Sequence, residues 1–115
     1  MDQEVKERWI SALESGQYEP GFGALRKVVD GRETHCCLGV LADLLDPEGW
    51  GNRGSYGQIF HRCDNSMWID DALAESIELD RSDQEYLASL NDGVGEPPGR
   101  TPGYDRVIPY IKEHL

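Results

Sequence analysis

From Leu38 to Leu45 the chain reads Leu-Gly-Val-Leu-Ala-Asp-Leu-Leu, apolar apart from Gly39 and Asp43. A segment with almost no polar face has to be covered on all sides. Its length and its Ala and Leu content suit a buried helix, and Asp46-Pro47 stops it, because the residue before a proline is pushed out of the helical region. A short central helix is therefore the element around which the rest must be arranged. The material for that is limited: 115 residues, 38% of them hydrophobic, support one domain spanning residues 1–115 with a modest core.

The flanking segments have recognisable periods. Val5, Trp9, Ala12 and Leu13 recur at helical spacing between Asp2 and Glu14, and Gly16 ends that helix. The run Ala24 to Val29 reads as a strand, Asp30-Gly31 as a hairpin turn, and Thr34 to Cys37 as the returning strand. Residues 49 to 66 are rich in Gly, Asn and Ser and read as a long loop, with a strand around Gln58 to His61. Asp70 to Leu79 is a short amphipathic helix. Ser82 with Glu85 matches a capping box that opens a helix carrying Tyr86, Leu87 and Leu90. Residues 93 to 103 hold four glycines and three prolines and predict no regular element, and a last helix from Asp105 or Ile108 to Leu115 tolerates Pro109 only in its first turn. The fold class expected is α+β, with four to five helices packed on a short antiparallel hairpin or small sheet.

Charge is uneven along the chain. The formal net charge is −11, and residues 41 to 92 alone hold twelve acids against three bases. Such a balance argues against a polymeric nucleic-acid partner, whose phosphates would be repelled. The acidic stretch reads either as solvated helix faces or as a surface that imitates nucleic acid toward a basic host defence or DNA-binding protein. No apolar stretch reaches bilayer length, and the start Met-Asp-Gln-Glu lacks the basic and apolar regions of a signal peptide, so no membrane association and a cytoplasmic location are expected.

Residues 22 to 40 escape the acid excess, with Arg26, Lys27 and Arg32 against Asp30 and Glu33. Gly21 and Gly23 permit close backbone approach beside these bases, a combination suited to holding phosphate. Strand alternation puts Arg26 and Lys27 on opposite faces, and Arg26 is chosen as the anion contact, with Lys27 as a second candidate. Trp50 and Tyr56 in the long loop are candidates to stack on a base. Cysteine offers less. Three cysteines without a signal peptide do not make a disulfide framework, and His35, Cys37, His61 and Cys63 form a candidate zinc set whose spacing is unlike a usual knuckle, against the plainer reading of small cysteines packed beside the core helix. A Cys-His nucleophile is the remaining catalytic alternative.

The segments Trp9-Ile10-x-Ala12-Leu13-x-Ser15-Gly16-x-Tyr18, Gly21-x-Gly23-x-Leu25-Arg26, Cys36-Cys37-Leu38-Gly39-Val40-Leu41 and Leu87-Ala88-x-Leu90-Asn91-Asp92 together resemble a family of small proteins encoded by tailed bacteriophages. The resemblance implies a phage setting, and Arg26, Asn91 and Asp92 are the matching positions carried over as candidate site residues. By analogy of setting, the function expected is a non-catalytic, counter-defence binding protein, a possible homo-oligomer, that sequesters a small phosphorylated nucleotide. No cofactor and no bond cleavage are required. An acidic protein-protein inhibitor is the alternative, and a zinc or Cys/His enzyme module the second alternative.

Overall fold

Helices and hairpins alternate in a computed structural model that describes residues 1–62, 65–92 and 103–115. The order is α1 (Gln3–Glu14), β1 (Arg26–Val29), β2 (Arg32–His35), α2 (Cys37–Leu45), β3 (Trp50–Arg53), β4 (Gln58–His61), α3 (Asp71–Ser76), α4 (Arg81–Asp92) and α5 (Val107–His114). The four strands form one antiparallel sheet in the order β2-β1-β4-β3, so the fold is α+β as expected.

The apolar run becomes the central helix. Cys37 to Ala42 are all buried in α2, which packs against α1, α4 and the end of β2. Burial of each Leu or Val here contributes about 1.5–3 kcal/mol, which is why the sheet can remain small. Gly39 lets α2 sit directly on the chain leading into β1: a Cβ at this position would lie 1.7 Å from the Leu25 carbonyl oxygen. Trp9 closes the other side, its indole N–H donating to the Cys37 carbonyl at 2.9 Å.

Three expectations are corrected. The returning strand ends at His35, because Cys36 is already the N-cap of α2, its sulfur accepting from the Gly39 N–H, and Cys37 is helical. The long loop contains a second hairpin, with β3 pairing β4, although the sequence Trp-Gly-Asn-Arg has little strand propensity of its own. Its turn carries Gly57 at φ +82°, and the Gly57 carbonyl accepts from the Val28 N–H at 2.8 Å, so the hairpin tip rests on β1. The cap of α4 is Asp80, which accepts from the Asp83 N–H at 2.8 Å and also from the Ser82 hydroxyl at 2.9 Å; Ser82 lies inside the helix. The last helix holds Pro109 in its first turn, where its missing N–H costs no helical bond. The glycine- and proline-rich stretch from Gly93 to Pro102 lies outside the described residues.

Candidate functional site

Strand alternation gives the sheet two chemically different faces. Arg26, Glu33, His35, Ile59, His61 and Trp50 share the inner face, which looks toward Tyr18 and the C-terminal half of α2. Lys27, Val29, Arg32 and Thr34 share the outer face.

The outer face is concave. Residues 19 to 21 run alongside β2, with the His35 N–H donating to Glu19 and the Gly21 N–H donating to the His35 carbonyl, and Phe22 then turns over the hairpin. The result is a groove of about 710 Å³ lined by Glu19, Gly21, Phe22, Lys27, Arg32 and Thr34, with Pro20, Val29 and Asp30 completing its wall and rim. Gly21 is required by this approach, since a Cβ there would meet the Thr34 hydroxyl at 2.4 Å. The Lys27 ammonium stands 5.4 Å from the centre of the Phe22 ring and forms no ion pair among the described residues. Phe22 is 57% exposed. Gly23, at φ +80°, leaves the space next to that ammonium open. Arg32 is engaged by Glu19, its Nε donating at 2.7 Å, and the pair holds the Glu19 carboxyl below its ordinary range.

The inner face is closed and largely engaged with itself, although Arg26 Nε and His61 Nδ1 are buried there without a hydrogen-bond partner. Arg26 pairs with Glu33 at 2.9 Å and lies over Trp50, its Cζ 5.4 Å from the ring centre. Trp50 packs between His35 and His61, at centroid distances of 6.0 and 4.6 Å. Its indole N–H donates to Asp43, whose second oxygen accepts from the Tyr18 hydroxyl at 2.6 Å. Burial and the Asp43 carboxylate push the Tyr18 hydroxyl up to about 12. His35 is held neutral to lower pH than usual, mainly by burial, with Glu33 and Asp43 opposing. His61 is fully buried, one ring nitrogen 2.9 Å from the Asp46 carbonyl.

The candidate residues therefore separate. Gly21 and Lys27 come together in the groove and Gly23 borders it, while Arg26 and Trp50 come together on the other side of the sheet. Tyr56, 81% exposed, stands in the β3–β4 turn and lines neither face. Asn91 is fully buried and braces the fold: its Oδ1 accepts from the Cys37 N–H at 3.0 Å, and its Nδ2 donates to the Gly21 carbonyl at 2.8 Å and to Asp92. Asp92 is exposed and is engaged by Asn91. The zinc reading loses its geometry, because Cys37 enters α2 instead of continuing the strand beside His35, and the Trp50 ring fills the space between His35 and His61. Cys63 lies outside the described residues. Burial pushes the Cys36 thiol up to about 11 and raises the Cys37 thiol well above its ordinary value, which disfavours the thiolate at both. Sequence reasoning missed Phe22, Val29 and Thr34 as lining residues. The period-2 pattern starting at Lys27 could have found Val29, but Phe22 and Thr34 depend on how residues 19 to 22 fold back.

A family profile described as a domain of unknown function, DUF8296, matches residues 1–109 of the chain. The chain belongs to that family. No curated protein and no solved structure matches it. The DUF8296 match spans every element of the sheet, both sides of the groove and the helices up to the first turn of α5. Among the described residues, no helix is long and apolar enough to cross a membrane.

Proposed function

We propose that this protein captures a small phosphorylated nucleotide in the outer groove, without cleaving it. The observation that carries the reading is Lys27: in a chain of net charge −11, a cation without an ion-pair partner among the described residues lines a concave site beside an exposed aromatic ring. Lys27 attracts phosphate, the Phe22 ring gives a base a surface to stack on, and the Thr34 hydroxyl and groove backbone provide hydrogen bonds. A volume of about 710 Å³ is of the size such ligands occupy. The anion contact thus shifts from Arg26, which Glu33 and Trp50 already engage, to its neighbour. The phage setting implied by the sequence resemblance extends this to counter-defence, in which a host nucleotide signal is withdrawn from solution.

Isothermal titration against a panel of nucleotides tests it. Binding is expected, lost by at least about tenfold in Lys27→Ala and Phe22→Ala, nearly unchanged in Arg26→Ala, and heating the complex releases the nucleotide intact. No binding by any nucleotide, or loss through Arg26→Ala with Lys27→Ala neutral, overturns it.

A second reading rests on a different surface. Asp71, Glu75, Glu78 and Asp80 line a groove of about 480 Å³ between α3 and α4, with Arg81 drawn onto the Trp68 ring. A protein inhibitor that presents these acids to a basic host partner would bind with steep salt dependence.

A further inference from the structure

The charges around the outer groove limit the kind of phosphate it can accept, an inference that rests on the groove being the binding site. Among the described residues four ionised side chains line it: Lys27 and Arg32, Glu19 and Asp30. Arg32 is not available in full, because two of its guanidinium nitrogens are directed to one Glu19 oxygen. Asp30 sits at the hairpin turn on the rim, held there by its left-handed backbone at φ +53° and by Gly31 at φ +79°. Among the described residues one positive charge, that of Lys27, is left to compensate a ligand; the Glu19–Arg32 pair adds no net charge, and the Asp30 carboxylate on the rim opposes any charge in excess of it.

We infer that the groove is selective for a nucleotide whose phosphate carries a single negative charge, a phosphodiester such as a 3′,5′-cyclic monophosphate, over phosphomonoesters and polyphosphates. A monoanion matches Lys27 one to one. A terminal monophosphate brings close to two charges at neutral pH and a triphosphate more, and the surplus meets Asp30 at the exposed rim, where an unfavourable pairing weakens binding by up to roughly fivefold. A neutral nucleoside forfeits the Lys27 contact. The geometry also says how selectivity is set: Glu19 determines whether Arg32 counts as a second cation.

The test is a titration of one base in four forms, as nucleoside, 3′,5′-cyclic monophosphate, 5′-monophosphate and 5′-triphosphate, at low salt and without divalent metal. The cyclic form is expected to bind tightest, the 5′-monophosphate roughly threefold to fivefold weaker and the triphosphate weaker again. Glu19→Gln frees Arg32 and is expected to reverse the order of the cyclic and 5′-monophosphate forms. Asp30→Asn, at an exposed turn, is expected to narrow the gap between them and serves if Glu19→Gln does not fold. Tightest binding of the 5′-monophosphate or the triphosphate overturns the selectivity while leaving nucleotide capture standing, whereas equal binding of the nucleoside overturns both, because the phosphate then contributes nothing. Absence of binding by all four forms, extended to the other common bases, overturns both.

Discussion

Gly39 stands where a side chain has no room. A methyl group there would be forced against the Leu25 carbonyl, and since both partners are backbone, α2 would have to lift from the lead into β1. Gly39→Ala is expected to cost about 3 kcal/mol or more in urea unfolding. Gly31→Ala, which meets nothing within 4 Å but keeps φ at +79°, is expected to cost about 1–2 kcal/mol from backbone conformation alone. Asn91 works by hydrogen bonding. Asn91→Ala leaves the Cys37 N–H and the Gly21 carbonyl without this partner, and a loss of about 2–4 kcal/mol is expected; one below about 1 kcal/mol would mean that water replaces the amide. The sequence singled out Asn91 without showing what it touches, because Gly21 and Cys37 lie 70 and 54 positions away. Arg26 and Lys27 show the complementary case. Alternation alone placed them on opposite faces, but only the packing of Trp50 and the path of residues 19 to 22 show which face is open.

At the scale of elements, two features can be separated experimentally. The start of α4 is held by Asp80, so Asp80→Ala is expected to lower the urea midpoint more than Ser82→Ala, the reverse of what a capping box centred on Ser82 predicts. His35, at the end of β2, titrates below its ordinary value of 6.5 in the folded protein because burial penalises its charged form. The unfolded chain then binds the extra proton first, so the contribution to stability is full above pH 6.5 and is lost as pH falls through the lower folded value. Urea midpoints are expected to decline as pH falls below 6.5 in the native protein, with this part of the slope absent in His35→Gln; an NMR titration of the imidazole with a midpoint at or above 6.5 would contradict it. The elements best read from sequence were those whose pattern is local: α2 from its mostly apolar run, the first hairpin from Asp30-Gly31, and β4 with the bounds Gln58 to His61. Strand β3 was not legible. Trp-Gly-Asn-Arg becomes a strand because the pairing partner β4 and the Gly57 tip on β1 hold it, and these are tertiary causes.

Across the whole molecule, the excess of acids is a standing repulsion that the fold tolerates. Exposed ion pairs such as Arg62 with Asp46 and Asp70 offset only part of it. Raising sodium chloride from about 20 to 300 mM is expected to raise the melting temperature, by screening like charges. A falling melting temperature would show that the ion pairs outweigh the repulsion. The division of the sheet into two faces also has an optical consequence. Trp9 lies against α2, Trp50 under Arg26 and Trp68 under Arg81, and none of the three lines the outer groove, where Phe22 supplies the only aromatic ring among the described residues. A ligand that settles in the groove should therefore leave the intrinsic emission of the protein almost unchanged, whereas one that quenches it has gone elsewhere, to Trp50 on the other side of the sheet or to Trp68 beside the α3–α4 groove.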